Sequence, residues 1–194
     1  MPNPSKELFY LSAYKFLNKK KYRKILDVGC GHLHLYHNIN TEEYYGIDIL
    51  DYNLRMEKNA FYKKTNFNNY KTEKKFDLIV IHNTINYNGD YDVKEFENNL
   101  KKINYMLNDN GYLSFNFGHL NKGVYEKIDQ IITKEHTKYG FIIVESFKYG
   151  LFHFAVNNFI YKIILAIIKI FPILDRNHMG QKFKYFLLKK IKTL

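Results

Sequence analysis

Tryptophan is absent, and the 194 residues include one cysteine, three prolines and ten glycines. A single cysteine excludes an intrachain disulfide framework and suggests a reducing, cytoplasmic compartment. So little proline and glycine excludes a low-complexity or linker-dominated chain. No Pro/Gly/Ser-rich boundary, long linker or internal repeat divides the sequence. One domain over residues 1–194 is therefore expected, long enough to bury a sizeable core. The opening MPNPSKELFY lacks an apolar h-region, so no signal peptide is expected. Acidic residues are also scarce, 19 against 30 Lys and Arg, for a net charge of +11. Between Lys6 and Lys24 seven bases face only Glu7, and from Glu145 onward nine bases face Glu145 and Asp175. That balance favours anionic partners, whether phosphorylated small molecules, anionic lipid or nucleic acid, without choosing among them.

Aromatic residues, in contrast, are plentiful: 18 Tyr and 16 Phe. They occur in a composition rich in Asn, Lys and Ile, so aromatic clusters and lysine runs carry less functional weight than usual. Apolar positions Leu8, Phe9, Leu11, Ala13, Phe16 and Leu17 predict a leading helix over 5–18, and Lys19-Lys20-Lys21 a solvated turn after it. Strand patterns follow at Lys24–Val28, Tyr44–Ile47, Phe61–Thr65 and Phe76–Ile81. Val93–Leu107 has helical spacing, Asn108–Gly111 reads as a turn, and Tyr112–Phe117 as a strand. A helix at Val124–Thr137, a strand at Phe141–Phe147 and a final edge strand at Lys182–Lys192 complete the pattern. Strands alternating with helices predict an α/β domain with a mainly parallel sheet.

In such sheets ligands bind beyond the carboxyl ends of the strands. After the first strand come Asp27, Gly29, Cys30 and Gly31, with Leu33 where a third glycine would complete G-x-G-x-G. Glycines there permit a tight turn and close backbone approach. Asp48 ends the second strand, 48 − 27 = 21 positions after Asp27. A carboxylate at that place can accept both hydroxyls of a ribose. His82 and Asn83 follow the fourth strand, and Gly118 and His119 the fifth. The pattern G-x-G-x-x-G is missing, which disfavours a dinucleotide-dependent dehydrogenase, and no P-loop is present. His32, His34 and His37, spaced by two and three, match neither a helical pair at i, i+4 nor a zinc knuckle. No metal site is expected, and these histidines should line the loop or face solvent. Cys30 reads as a small buried residue rather than a nucleophile.

ILDVGCG, YYGIDI, FDLIVI and NYMLNDNGYLSFNF, in that order and spacing over Lys24–Phe147, resemble the class I S-adenosylmethionine-dependent methyltransferases. GCGHLHLY is similar to a type 11-like branch found among glycan-biosynthesis members, in which the third glycine is often missing. The resemblance implies a Rossmann-like three-layer sandwich with a seven-stranded, mainly parallel sheet whose last strand is antiparallel. It also implies S-adenosylmethionine as cofactor. Asp27, Gly29, Cys30 and Gly31 would hold its methionine portion and Asp48 its ribose hydroxyls, with Ile49 also among the cofactor-binding residues. Asn66 and Phe67 would flank the adenine, and His82 would lie near the sulfonium. Two departures stand out. Asn66 replaces the acid that commonly meets the adenine amine, and Asn86-Tyr87 stand where many small-molecule enzymes carry Glu-His.

Methyl transfer to a hydroxyl would benefit from a base of near-neutral pKa, and His82 and His119 are the two candidates. The acceptor is expected to be a small molecule or a glycan, lipid-linked ones included, with O-methylation preferred. RNA is the second reading, kept by the basic excess but weakened because NTINYNGDYD lacks an N/D-P-P-Y/F motif. A non-catalytic binding module is the third, disfavoured because Gly29, Gly31 and Asp48 are all present. A helical insertion is expected at about 149–180. Within it Phe159–Phe171, 13 residues, would span ~20 Å as helix, short of the ~30 Å hydrocarbon core. The stretch 157–171 is expected to pack over the sheet or form a homodimer contact. A peripheral contact with the inner face of a membrane, through Lys162 and Lys169, is the alternative.

Overall fold

The computed structural model describes residues 4–33, 35–52, 58–82, 92–118, 120, 122–149, 163, 166 and 183–191. The chain begins with helix α1 (Pro4–Leu17) and strand β1 (Tyr22–Val28). A 3-10 turn at Tyr36–Asn38 leads to β2 (Thr41–Asp48), β3 (Ala60–Lys64) and β4 (Phe76–Ile81). Then come α2 (Val93–Met106), β5 (Leu107–Gly118), α3 (Lys122–Lys134), a second 3-10 turn (His136–Tyr139), β6 (Phe141–Tyr149) and β7 (Phe183–Lys190). The strands form one sheet in the order β3-β2-β1-β4-β5-β7-β6. β1 to β5 pair in parallel, and β7 runs antiparallel to both β5 and β6.

Helices cover both faces, giving the expected three layers. On one face α2 sets Phe96, Leu100, Ile103 and Met106, and α3 sets Ile128, Ile131 and Ile132, against Leu26, Ile79 and Phe115. On the other, Phe9, Ala13 and Leu17, four residues apart along α1, pack against Ile25, Leu78, Val80 and Tyr185. This 3.6-residue spacing puts one apolar stripe of each helix on the sheet. Asp92 caps α2, its Oδ1 accepting the Glu95 N–H at 2.6 Å. Lys19, Lys20 and Lys21 are exposed, as expected of the turn, although Lys20 sits 4.4 Å from the Tyr112 ring centre.

Two boundaries differ from expectation. β7 is not an edge strand: it lies between β5 and β6, and the sheet's edges are β3 and β6. The run Phe186-Leu187-Leu188 is buried on both faces, which is what a central strand requires. Its final lysine, Lys190, is buried as well and donates from Nζ to the Asn104 and Leu107 carbonyls at 3.0 Å, at the carboxyl end of α2. Asn108–Gly111 is not a free turn either, because β5 begins at Leu107 as soon as α2 ends. The irregularity the sequence signals is absorbed as a register shift against Phe76–Leu78, with Asn110 at φ 62°. Of the expected insertion 149–180, only the backbone of Tyr149 and the residues Ile163 and Ala166 are described. The latter two are helical and exposed, and the rest of 157–171 lies outside the described residues. Among the described residues no helix is long and apolar enough to cross a membrane.

Candidate active site

The carboxyl ends of β1, β2 and β4 meet at one place because the register pairs Asp27 with Gly46, and Val28 with both Ile47 and Ile81. Beyond β1 the backbone turns through three left-handed residues, Gly29 (φ 72°), Gly31 (φ 50°) and Leu33 (φ 60°). Leu33 thus keeps the conformation a third glycine would supply. A left-handed backbone costs a leucine roughly 1–2 kcal/mol. Its side chain is 3% exposed in the α1-side core, and burying a leucine contributes about 1.5–3 kcal/mol, enough to hold it there.

The loop is wired to the end of β2. The Ile47 carbonyl accepts the N–H groups of Gly29 at 2.8 Å and Cys30 at 3.2 Å. Gly31 N–H donates to Asp48 Oδ2 at 3.0 Å, and Leu50 N–H to Asp48 Oδ1 at 3.0 Å. Each Asp48 oxygen keeps a further lone pair, and the residue is only partly covered. Among the described residues a Cβ built on Gly31 would meet nothing within 4 Å, so they leave the loop open on that side. Ile49 and Leu50, beside the carboxylate, are 67% and 56% exposed. Pinned acid, open glycine turn and adjacent apolar surface together suit a nucleoside carrying a small charged tail.

Cys30 is buried and in no disulfide, and burial pushes its thiol pKa up. The space for it comes from Gly46 in the middle of β2, where a Cβ would lie 2.8 Å from Cys30 Sγ. Asp27 is buried too, its Oδ2 accepting the Tyr44 hydroxyl at 2.6 Å. Desolvation raises its pKa to about 7; the Tyr44 hydrogen bond opposes this and the nearby Asp48 charge adds to it. Tyr44 and Gly46 are site residues that sequence reasoning missed. Their only signal is a strand, YYGID, that places a tyrosine and a glycine two positions apart opposite the loop.

Asn66 and Phe67 lie next to Asp48, since Thr65 N–H donates to the Asp48 carbonyl at 2.7 Å. Asn66 is exposed, and its Oδ1 accepts the Asn69 N–H at 2.8 Å, closing a local turn. Phe67 is half-buried against the core.

His82 follows Ile81 at the end of β4, but its imidazole turns inward and is 8% exposed. Nε2 lies 2.8 Å from Ser114 Oγ, which in turn donates to the Tyr185 hydroxyl at 3.1 Å. The Phe9 ring stands edge-on at 4.9 Å. Desolvation lowers the His82 pKa to about 3, so the ring is neutral at physiological pH. The near-neutral base sought at this position is therefore not what burial leaves. Neither Ser114 nor Tyr185 is locally marked in the sequence; they arrive from β5 and β7. His119 lies outside the described residues, as do Asn83 and Asn86-Tyr87. His32 and His37 are exposed and touch the rings of Tyr52 and Tyr36, and His34 lies outside the described residues. Among the described residues no group of three or more His, Cys, Asp or Glu could hold a metal ion.

The sequence pattern of a methyltransferase domain family matches residues 5–120, more than half of the chain. No curated protein matches the chain. Among solved structures it is similar to the N-methyltransferase NodS from Bradyrhizobium japonicum WM9 in complex with S-adenosyl-L-homocysteine. That match has 12% identity and a TM-score of 0.64, covering 98% of this chain and 89% of that one. A protein from Listeria monocytogenes described as a candidate S-adenosylmethionine-dependent methyltransferase matches at 13% identity and a TM-score of 0.65, covering 96% and 98%. The plantazolicin methyltransferase BpumL matches at 16% identity and a TM-score of 0.57, covering 97% and 85%. These likenesses establish the fold, and the family match, with the sheet order and the loop pinned to Asp48, establishes the rest: the chain belongs to the class I S-adenosylmethionine-dependent methyltransferases.

Proposed function

We propose that this methyltransferase acts on a hydroxyl of a small-molecule or glycan acceptor, lipid-linked glycans included. When bound, S-adenosylmethionine supplies a methyl already activated by its sulfonium, so positioning and exclusion of water provide much of the rate. The observation that carries the cofactor half of the reading is the Asp48 carboxylate, held by Gly31 N–H and Leu50 N–H with a lone pair left on each oxygen. In this reading those lone pairs receive the ribose hydroxyls. Asp27 and the Gly29–Gly31 turn take the methionine end, and Ile49, Asn66 and Phe67 take the adenine side.

His82, neutral and tied to Ser114, orients groups at the end of β4 rather than storing a proton. The proton of an acceptor hydroxyl would then pass to His119, which directly follows β5 in the chain. Support for a small or glycan acceptor over RNA comes from the sequence after β4, NTIN, which lacks the amino-methylating motif. The net charge of +11 suits a phosphate-bearing acceptor such as a nucleotide sugar.

A labelled-methyl assay offering nucleotide sugars, lipid-linked glycans and total RNA tests this reading. Label in a sugar hydroxyl is the expected result, and incorporation into RNA alone would overturn it. The same assay across pH assigns the base. His119→Asn should flatten the rise of kcat/KM near pH 6–7, where an ordinary imidazole titrates, about pH 6.5. His82→Asn should lower the rate without moving that inflection.

A further inference from the structure

The turn after β3 that follows Asp48 is clamped from outside the site. Lys102, on the middle of α2, extends its ammonium across the turn and donates to the Phe67 carbonyl at 2.5 Å and the Asn68 carbonyl at 3.1 Å. The same Nζ stands 4.7 Å from the centre of the Phe67 ring. A second strut runs from Asn68 Nδ2 to Glu95 Oε1 at 2.9 Å, nearer the start of α2. From the other direction, Tyr70 is buried in the core, and its N–H donates to the Asn66 carbonyl at 3.1 Å and the Phe67 carbonyl at 3.2 Å. Asn66 and Phe67 are thus held between the sheet and α2 by bonds to their own backbone, with the Phe67 ring half-buried against the core.

We infer that Lys102 is a positioning residue for the base end of the cofactor site, fixing the Asn66–Asn68 peptide and the Phe67 ring against which the adenine is recognised. The inference rests on the reading of Asn66 and Phe67 as adenine neighbours. Two features make Lys102 more than a surface lysine. Its ammonium is shared by two carbonyls of consecutive residues and an aromatic ring, which fixes one geometry. These are charge-assisted bonds, stronger than neutral ones, and the one to the Phe67 carbonyl is partly buried. An unclamped turn would have to be ordered each time a nucleoside bound, and that cost falls on affinity. Lys102 touches no reacting atom; its effect is confined to how well the base is held.

Calorimetric titration of the full chain with S-adenosylhomocysteine, and with S-inosylhomocysteine in which only the base edge is altered, tests the inference. Lys102→Met keeps the apolar stem and loses the donors. It should raise the dissociation constant for S-adenosylhomocysteine about tenfold and shrink the preference over the inosine analogue, by the loss of charge-assisted hydrogen bonds. Lys102→Arg, which can bridge both carbonyls, should restore most of each. Glu95→Ala, on a partly exposed strut, should weaken binding about two- to threefold and leave the fold intact, in line with an exposed hydrogen bond. Unchanged affinity and base preference in Lys102→Met would overturn the inference, as would a loss of affinity equal for both analogues. Phe67→Ala separates the underlying reading: if it weakens binding while Lys102→Met does not, only the role of Lys102 falls. If Phe67→Ala also leaves binding untouched, the adenine reading of this turn falls with it.

Discussion

The two polar regions at the carboxyl edge of the sheet are built in opposite ways. The Gly29–Asp48 region is partly open and made largely of backbone: three left-handed residues, two N–H groups on one carbonyl, two more on one carboxylate. The His82–Ser114–Tyr185 region is closed and made of side chains from β4, β5 and β7, with two of its members wholly buried. A backbone-built site needs only glycines and one acid in a short span, so it can be held constant while other residues vary. A side-chain-built site depends on distant strands arriving in register, and it stiffens the sheet under α1.

Five substitutions break or sharpen that contrast. The largest expected effect is on the open side: Asp48→Ala should weaken S-adenosylhomocysteine binding on the order of 100-fold, because hydrogen bonds to a charged group are lost together with the loop's anchor. Calorimetry checks it, and stability should change little because Asp48 is only partly covered. On the closed side the effects should reverse. Ser114→Ala removes the partner that the His82 nitrogen and the Tyr185 hydroxyl share and should cost about 1–3 kcal/mol in a urea melt, with cofactor affinity retained.

The pH dependence of stability separates the two regions a second way. Asp27 has a folded pKa near 7, above that of an unfolded aspartate. Between pH 4 and 7 the folded state therefore holds the extra proton, and this contribution is lost as pH rises through 7. His82 is the converse. Its folded pKa near 3 lies below the unfolded value, so the unfolded state holds the extra proton between pH 3 and 6.5 and stability is lost as pH falls. The two slopes oppose each other in the wild type. Urea melts of Asp27→Asn should show stability climbing from pH 4 to 6.5, and melts of His82→Gln should show it declining over the same range. The smallest effect is expected for Leu33→Gly. Relief of a left-handed leucine offsets lost burial, so stability should shift by no more than about 1 kcal/mol with cofactor binding unchanged.

Legibility follows the same division. DVGCG, YGID and FDLIVI announce strand ends and the residues beyond them within a few positions, so the placement of Asp27, Gly29, Gly31 and Asp48 at the carboxyl edge of the sheet is readable from sequence alone. The parallel sheet with an antiparallel last strand is legible too. The place of that strand is less so: the alternation at the ends of FKYFLLKK suggests an edge, whereas Phe186-Leu187-Leu188 is a run buried on both faces. His82 is recognisable as lying at a strand end, but its withdrawal under Phe9 depends on α1, far earlier in the chain. The clamp by Lys102 joins positions 35 apart, and no local pattern distinguishes that lysine from its neighbours Lys101 or Lys94.

Local chemistry alone determined where the backbone must turn and where a carboxylate meets the turn, because left-handed conformations and strand ends are encoded within a few residues. Tertiary structure decided the rest. It let Leu33 take a glycine's conformation by burying it, drove the His82 pKa down by enclosing the ring, and set β7 inside the sheet. Each of these depends on which distant groups exclude water from a site, and burial of that kind is a property of the packed molecule rather than of any segment.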